Sequence, residues 1–425
     1  MMRRCALALA MMLTAATVAT SAAASSRQTS DGMSRRDLSP RHRCDVVLPH
    51  SLDTIDGDDP GNIGPIKPGA ILCLAGGTRS NLRLKNLHGA PGRPIVVRNV
   101  GGSVVTITGT LFEAGITIQT SSYLRVTGGG LKATCGSQFT AASQHCGMHI
   151  DGTNKGIRVN TSRGAVNHLE IDHLSITNLT HKSTRGIAVH PLIGQVITGV
   201  AIHHMFISNT GAEGIYVGAE PRDVALRKVG RVDEVSIHHN YIRGTGFDGI
   251  KVKVAMNGLA IHDNLVVASG QRHDPAHQGA IKMAYVAGNI FSNVVVDAVE
   301  GIRMGRRLDT AHNRYYDNVV IGTQKVALDA PERNAFLYGN VVVNAAGIGI
   351  RAPGDGTRLT ANAVLVSARP YAPRSLAVGD GLGPDDVLRL GMVVSRNMAG
   401  IWTTFGLVPP GPALPRGAAP PDLPI

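Results

Sequence analysis

The sequence is poor in aromatics, which make up 4% of its 425 residues and include a single Trp. Long amphipathic helical patterns and clear helix caps are missing, which excludes a helical bundle. Beyond residue 24 no segment is long and apolar enough to span a bilayer as a helix. Cysteine is scarce, at five residues, and lacks the close paired spacing of a zinc site. What abounds is Gly, at 51 residues, set among short Val/Ile-rich runs bounded by Gly, Asn and Asp. That pattern reads as all-β. The chain exceeds the usual size of one compact core, leaving several domains or one elongated solenoid.

The two ends differ from the middle. Arg3 and Arg4 precede an apolar stretch over 5–20 and a small-residue site at Ala22-Ala23-Ala24, so residues 1–24 read as a signal peptide. A secreted or periplasmic protein without a membrane anchor is expected. Residues 25–43 form a polar linker, 44–402 the folded part, and 403–425 a Pro-rich tail. Cys5 leaves with the signal. The remaining Cys44, Cys73, Cys135 and Cys146 are even in number, which in an oxidising compartment suggests disulfides. The local pairing Cys44–Cys73 and Cys135–Cys146 is one of three connectivities. The net charge of +12 favours a polyanion. Outside the cell that is acidic polysaccharide more often than nucleic acid. An acidic glycan partner, no nucleic acid and a monomer are therefore expected.

The middle repeats itself. Aligning VAIHHMFI, VSIHHNYI, LAIHDNLVV, YVAGNIFSN, YYDNVVI, LYGNVVV and LTANAVLV gives a column of Met205, Asn240, Asn264, Asn289, Asn318, Asn340 and Asn362. Asn tolerates left-handed backbone angles, and its amide can bond a stacked copy of itself. A strand follows each turn: GMHID (147–151), GIAVH (186–190), GIYVG (214–218), GIKVK (249–253), AIKMA (280–284), GIRMG (301–305) and GIGIR (347–351). Their apolar positions alternate, one face filling a core and the other meeting solvent. These are stacked coils of about 22 residues or more, a solenoid.

The Asn column, the G-I-x-V strands and the opening KPGAILCLAGGTRSNLRLKNLHGAPGRPIVVRNVGG resemble the pectate-lyase-like right-handed parallel β-helix proteins over about residues 44–365. The resemblance implies an all-β, right-handed parallel β-helix in a single solenoid. It leaves the activity open, because that superfamily holds lyases, epimerases, hydrolases and binding proteins. Some of its lyases use a Lys base with an Arg one coil later.

Parallel strands stack about 4.8 Å apart. The outward position of each strand therefore forms a row, read here as His149, Ala188, Tyr216, Lys251, Lys282, Arg303, a small residue and Gly349. Glu213, Asp248 and Glu300 each precede the Gly of their strand. Cleaving a uronate polymer by β-elimination needs a cation at the carboxylate, a base for the C5 proton and an acid for the leaving oxygen. Lys282 is assigned as the base, its pKa lowered by flanking cations. Arg303 is the carboxylate clamp, Lys251 a second clamp or alternative base, and Tyr216 the acid. His149, His190, His273, His277 and Arg306 are the candidate substrate-binding residues. The loop 269–278, SGQRHDPAHQ, enters the Lys282 strand and can overhang the row. A polysaccharide lyase is the leading reading. A C5-epimerase of the same polymer and a non-catalytic glycan-binding module are the alternatives, and a glycoside hydrolase ranks last of the enzymes. No cofactor is assigned, and calcium between Glu213 and Asp248 is a candidate. His203, His238 and His262 form one column and His173, His204 and His239 the next, an arrangement that can bind a metal but is more often a surface ladder.

Overall fold

The computed structural model describes residues 44–101, 103–109, 113–129, 147–179, 181–219, 228–308 and 310–372. The expected signal peptide, linker and Pro-rich tail, and Cys135 and Cys146, lie outside these residues. The protein is a right-handed parallel β-helix. Its strands pair in parallel, those away from the two ends each with the strand one coil before and one coil after. No helix among the described residues is long and apolar enough to cross a membrane.

Three strand tracks run up the solenoid. The first carries Leu82–Lys85, Ala114–Gln119, Lys155–Asn160, Arg185–His190, Ile215–Val217, the start of Ile250–His262, the start of Gly279–Phe291, and Glu300–Arg306. Alternation builds the core from these strands. Ile215, Val217, Ile250, Val252, Ile281, Met283, Ile302 and Met304 are all buried, stacked in register coil upon coil. The residue between each inward pair faces out, which fixes the row where chemistry can sit. At the N-terminal end the Cys44–Cys73 disulfide joins the approach to Val46–Leu48 with the strand Ile71–Leu74 that it pairs with.

A buried ladder marks one corner. Asn240, Asn264, Asn293, Asn318 and Asn340 each donate from Nδ2 to Oδ1 of the next Asn, the last acceptor being Asn362, at 2.8–2.9 Å. The rung after Asn264 is therefore Asn293, not Asn289. Asn289 lies within a strand, in register with Ala260 and Arg314. The ladder amides also cap backbone carbonyls, as Asn293 does for Ile261 and Phe291. This satisfies polar groups where water is excluded.

Immediately before this corner each coil makes a left-handed turn, at His173, His204, His239, Asp263, Ser292, Asp317, Gly339 and Ala361, with φ of 51–63°. The expected histidine columns are real. His203, His238 and His262 stack with centroids 4.7 and 4.9 Å apart, and Phe291, Tyr316 and Tyr338 continue the stack. His173, His204 and His239 form the neighbouring stack at 4.8 and 5.1 Å.

Candidate functional site

Strand register sets the outward row as Arg83, Thr117, Arg158, Ala188, Tyr216, Lys251, Lys282, Arg303, Asp329 and Arg351. The Ala188–Tyr216–Lys251–Lys282–Arg303 segment matches the expectation, while the positions on either side of it differ. His149 belongs to another track, paired with Thr106 and Ser175, and is buried with Nδ1 2.8 Å from Ser175 Oγ. Arg158 of Lys155–Asn160 holds the place two coils before Tyr216. Beyond Arg303, Asp329 and Arg351 replace the expected small residue and Gly349.

Lys251, Arg303, Asp329 and Arg351 of the row are ion-paired. Lys251 is 1% exposed and its Nζ lies 3.3 Å from Glu213 Oε1 and 3.1 Å from Asp248 Oδ2. His277 closes over it, with Nδ1 2.6 Å from Lys251 Nζ and its ring stacked on Phe247 at 4.7 Å. Glu213 also accepts from Arg185 Nε at 2.7 Å. Burial alone would raise the Glu213 carboxyl, but the His277 hydrogen bond and the charges of Arg185 and Lys251 outweigh it and hold the group well below the usual carboxylate range. Lys251 is thus closed to a ligand, which removes it as a clamp or alternative base.

Calcium does not suit this cluster. Glu213, Asp248 and His277 bring one ligand atom each within 4.8 Å of one another. The Lys251 ammonium, however, already stands against all three, and one of the three is a nitrogen donor. Calcium takes six to eight oxygens.

Tyr216 cannot serve as the acid from its position. It is 1% exposed, with Arg185 over its ring at 4.9 Å, Lys251 Nζ at 5.6 Å and the His190 ring at 4.6 Å. His190 has a structural place. Its Nδ1 is 3.0 Å from Gly218 O, and burial, reinforced by Arg185, lowers its pKa to about 4.

Loop 269–278 does overhang the row. Gln271 and Arg272 bond through their N–H groups to Thr245 and Gly246 carbonyls, and Asp274 Oδ1 accepts from Ala276 N at 2.8 Å. This pins the loop so that His277 covers Lys251 and the Ala276 carbonyl accepts from Lys282 Nζ. His273 sits exposed at the turn, its N–H bonded to Gly270 O, so the two loop histidines do not act together.

Lys282 is partly open to solvent, between buried Lys251 and Arg303. Burial lowers its pKa; Lys251 and Arg303 push the same way, against Asp248 and Glu300. Arg303 itself gives Nη1 to both Glu300 oxygens, at 2.8 and 2.6 Å, and its Nε is 3.6 Å from Asp329. Asp329 is shared with Arg351, whose Nε donates at 2.8 Å.

A groove of about 420 Å³ opens beside Lys282, lined by Tyr285, Gly305, Arg306, Arg307 and Pro331. Gly305 connects it to the lysine: a Cβ on Gly305 would sit 3.2 Å from Lys282 Cε. Arg306 is exposed and donates from Nη1 to the Tyr285 hydroxyl at 3.3 Å. Of the expected substrate-binding residues, Arg306 is the one that lines this groove. Tyr285 and Arg307 were not read from the sequence. The pairing of Ala284 with Arg306 skips a residue at Gly305, and that bulge turns the arginines toward the groove.

No family model matches the chain, and no curated protein matches it. Among solved structures it is similar to an alginate lyase from Paenibacillus sp. str. FPU-7, with 19% identity over 74% of this chain and 99% of that one and a TM-score of 0.48. It is similar to a mannuronic acid specific polysaccharide family 6 lyase from human gut microbiota, with 13% identity, coverage of 83% and 95%, and a TM-score of 0.46. It is also similar to a GH136 lacto-N-biosidase from Eubacterium ramulus, with 14% identity, coverage of 74% and 67%, and a TM-score of 0.44.

Proposed function

We propose that the protein is a polysaccharide lyase that cleaves a uronate-containing polymer by β-elimination, with Lys282 as the base. The observation that carries this reading is the setting of Lys282. Of the three stacked cations, it alone meets a backbone carbonyl instead of a carboxylate, and it borders an arginine-lined groove.

A base must be neutral to take a proton, and burial of Lys282 beside Lys251 and Arg303 lowers its pKa, moving it toward the neutral amine. Its Nζ takes the C5 proton. The electron pair left behind forms the C4–C5 double bond as the C4–O bond breaks, and the leaving oxygen receives a proton. Tyr285, on the groove rim, takes over the acid role first given to Tyr216. The uronate carboxylate meets Arg306 and Arg307, while Arg303 acts from behind, its Nη1 edge held by Glu300. Such a polymer lies outside the cytoplasm, where a disulfide such as Cys44–Cys73 persists.

The test incubates purified protein with alginate, pectate, hyaluronan, chondroitin and heparosan and follows the ultraviolet absorbance of the unsaturated product. Absorbance is expected to rise with one of these polymers and to be lost in Lys282→Ala. Tyr285→Phe should lower kcat with little change in KM. Solvent deuterium entering at C5 without absorbance would make the protein an epimerase. Binding without either change would make it a glycan-binding module.

A further inference from the structure

The double histidine column lies on a different strand track from Lys282 and takes no part in the chemistry above. We propose that it binds one divalent transition-metal ion at its C-terminal end, held by His239, His262 and Asp263.

The two columns face each other through their Nδ1 atoms. His203 and His204 approach at 2.9 Å, His238 and His239 at 2.9 Å, and His262 meets Asp263 Oδ2 at 2.7 Å. The rings of each histidine pair stand nearly perpendicular, at 83° and 87°. Stacking on the coils above and below holds them in this attitude, so the donors form a seam without reorganisation. A neutral imidazole has one nitrogen lone pair, and between two facing Nδ1 atoms one must carry a proton. An ion can replace that shared proton if the donating ring moves its proton to Nε2. Zn–N and Zn–O bonds of about 2.0–2.2 Å put two ligands on one ion about 3 Å apart. His262 and Asp263 already have that spacing, and a ligand atom of His239 lies within 4.8 Å of both.

Two ends of the seam carry a carboxylate. At one end Asp172, His173 and His203 bring ligand atoms within 4.8 Å of one another, and at the other His239, His262 and Asp263 do so. The first end is engaged. Asp172 is buried and accepts from Arg125 Nε at 2.8 Å, from Arg125 Nη2 at 3.1 Å and from Thr127 Oγ1 at 2.6 Å, besides its contact with His173. The Arg125 cation there supplies the charge that an ion would bring. At the second end Asp263 Oδ2 faces His262, and Asp263 and His262 have side chains 37% and 20% exposed. An ion can reach them from solvent. Two imidazoles and one carboxylate suit Zn²⁺, Ni²⁺ or Cu²⁺ better than a hard oxygen-seeking cation.

Tag-free protein, stripped with chelator, is dialysed against a slight excess of Zn²⁺ and then analysed for metal, with calorimetric titration of the same sample. About one equivalent is expected in the unaltered protein and in His173→Gln. In His239→Gln and Asp263→Asn the dissociation constant should rise at least about tenfold. Circular dichroism of each variant confirms that the solenoid is intact. Asp263→Asn changes only the charge and one donor, so it remains informative should His239→Gln misfold. Absence of stoichiometric zinc in the unaltered protein overturns the proposal. So does equal retention by Asp263→Asn, or loss in His173→Gln.

Discussion

Lys251 Nζ lies 2.6 Å from His277 Nδ1, inside the carboxylate pair of Glu213 and Asp248. A loop residue thus completes an ion cluster begun by two coils of the scaffold. Hydrogen bonds to Asp248 and then Glu213 raise the His277 pKa above its ordinary value. A raised folded-state pKa gives stability that is complete below the unfolded value of about 6.5 and is lost as pH rises through the folded value. The melting temperature should therefore fall as pH climbs through and beyond neutrality. In His277→Gln that alkaline decline should flatten. An unchanged decline in the variant would mean that another group is responsible.

The histidine columns act at the opposite side of the pH scale. Burial, with repulsion from neighbouring imidazoles, lowers His204 and His238 to about 3. The unfolded chain takes up protons at about 6.5, where these rings cannot. Their stabilisation is present above that value and drains away as pH falls toward the folded values. Thermal melts in mildly acidic buffer should show early unfolding. His238→Phe should resist acid better than the unaltered protein, because Phe291 shows that a phenyl ring fits the same stack.

Asn293 and Asn289 offer a direct check of register. Asn293→Ala orphans the amide and backbone partners of a fully buried side chain and should cost about 3 kcal/mol. Asn289→Ala is half-exposed within a strand and should stay within about 0.5 kcal/mol. Urea denaturation of the two variants measures the difference, and equal losses would place the ladder elsewhere.

With an active polymer in hand, kcat/KM should rise with pH through the Lys282 pKa, below the usual ammonium value of about 10.4. Arg303 lowers that pKa and Glu300 raises it. Arg303→Gln should accordingly move the rising limb to higher pH, and Glu300→Gln to lower pH. Limbs that stay together in the two variants would exclude Lys282 as the base.

The solenoid, the Asn corner and the central row were legible because each repeats with the coil. The errors came from slips that repetition hides. Asn289 and Asn293 both precede apolar residues, and only the Val294–Val296 strand after Asn293, matching Leu265–Val267 and Val319–Ile321, identifies the rung. Gly347-Ile348-Gly349 was read where Gly349-Ile350-Arg351 stands. A shift of two residues preserves inside-outside parity, so alternation cannot detect it. His149 fell in a strand of the right pattern on the wrong track; Gly156-Ile157-Arg158-Val159 carried the same signal nine residues on. Burial of Lys251 was beyond the sequence, because it depends on where the 269–278 loop lands, and that of Tyr216 because it depends on how Arg185 and His190 pack on its ring.

The amide ladder has a direction. From Asn240 to Asn340 each side chain donates to the Asn of the next coil toward the C-terminus, so five amide-to-amide bonds point the same way. Aligned bonds polarise one another, and a rung with neighbours on both sides is held more tightly than one at a rim. The stack should therefore open like a zipper, from its outermost teeth inward, with the central coils the last to part.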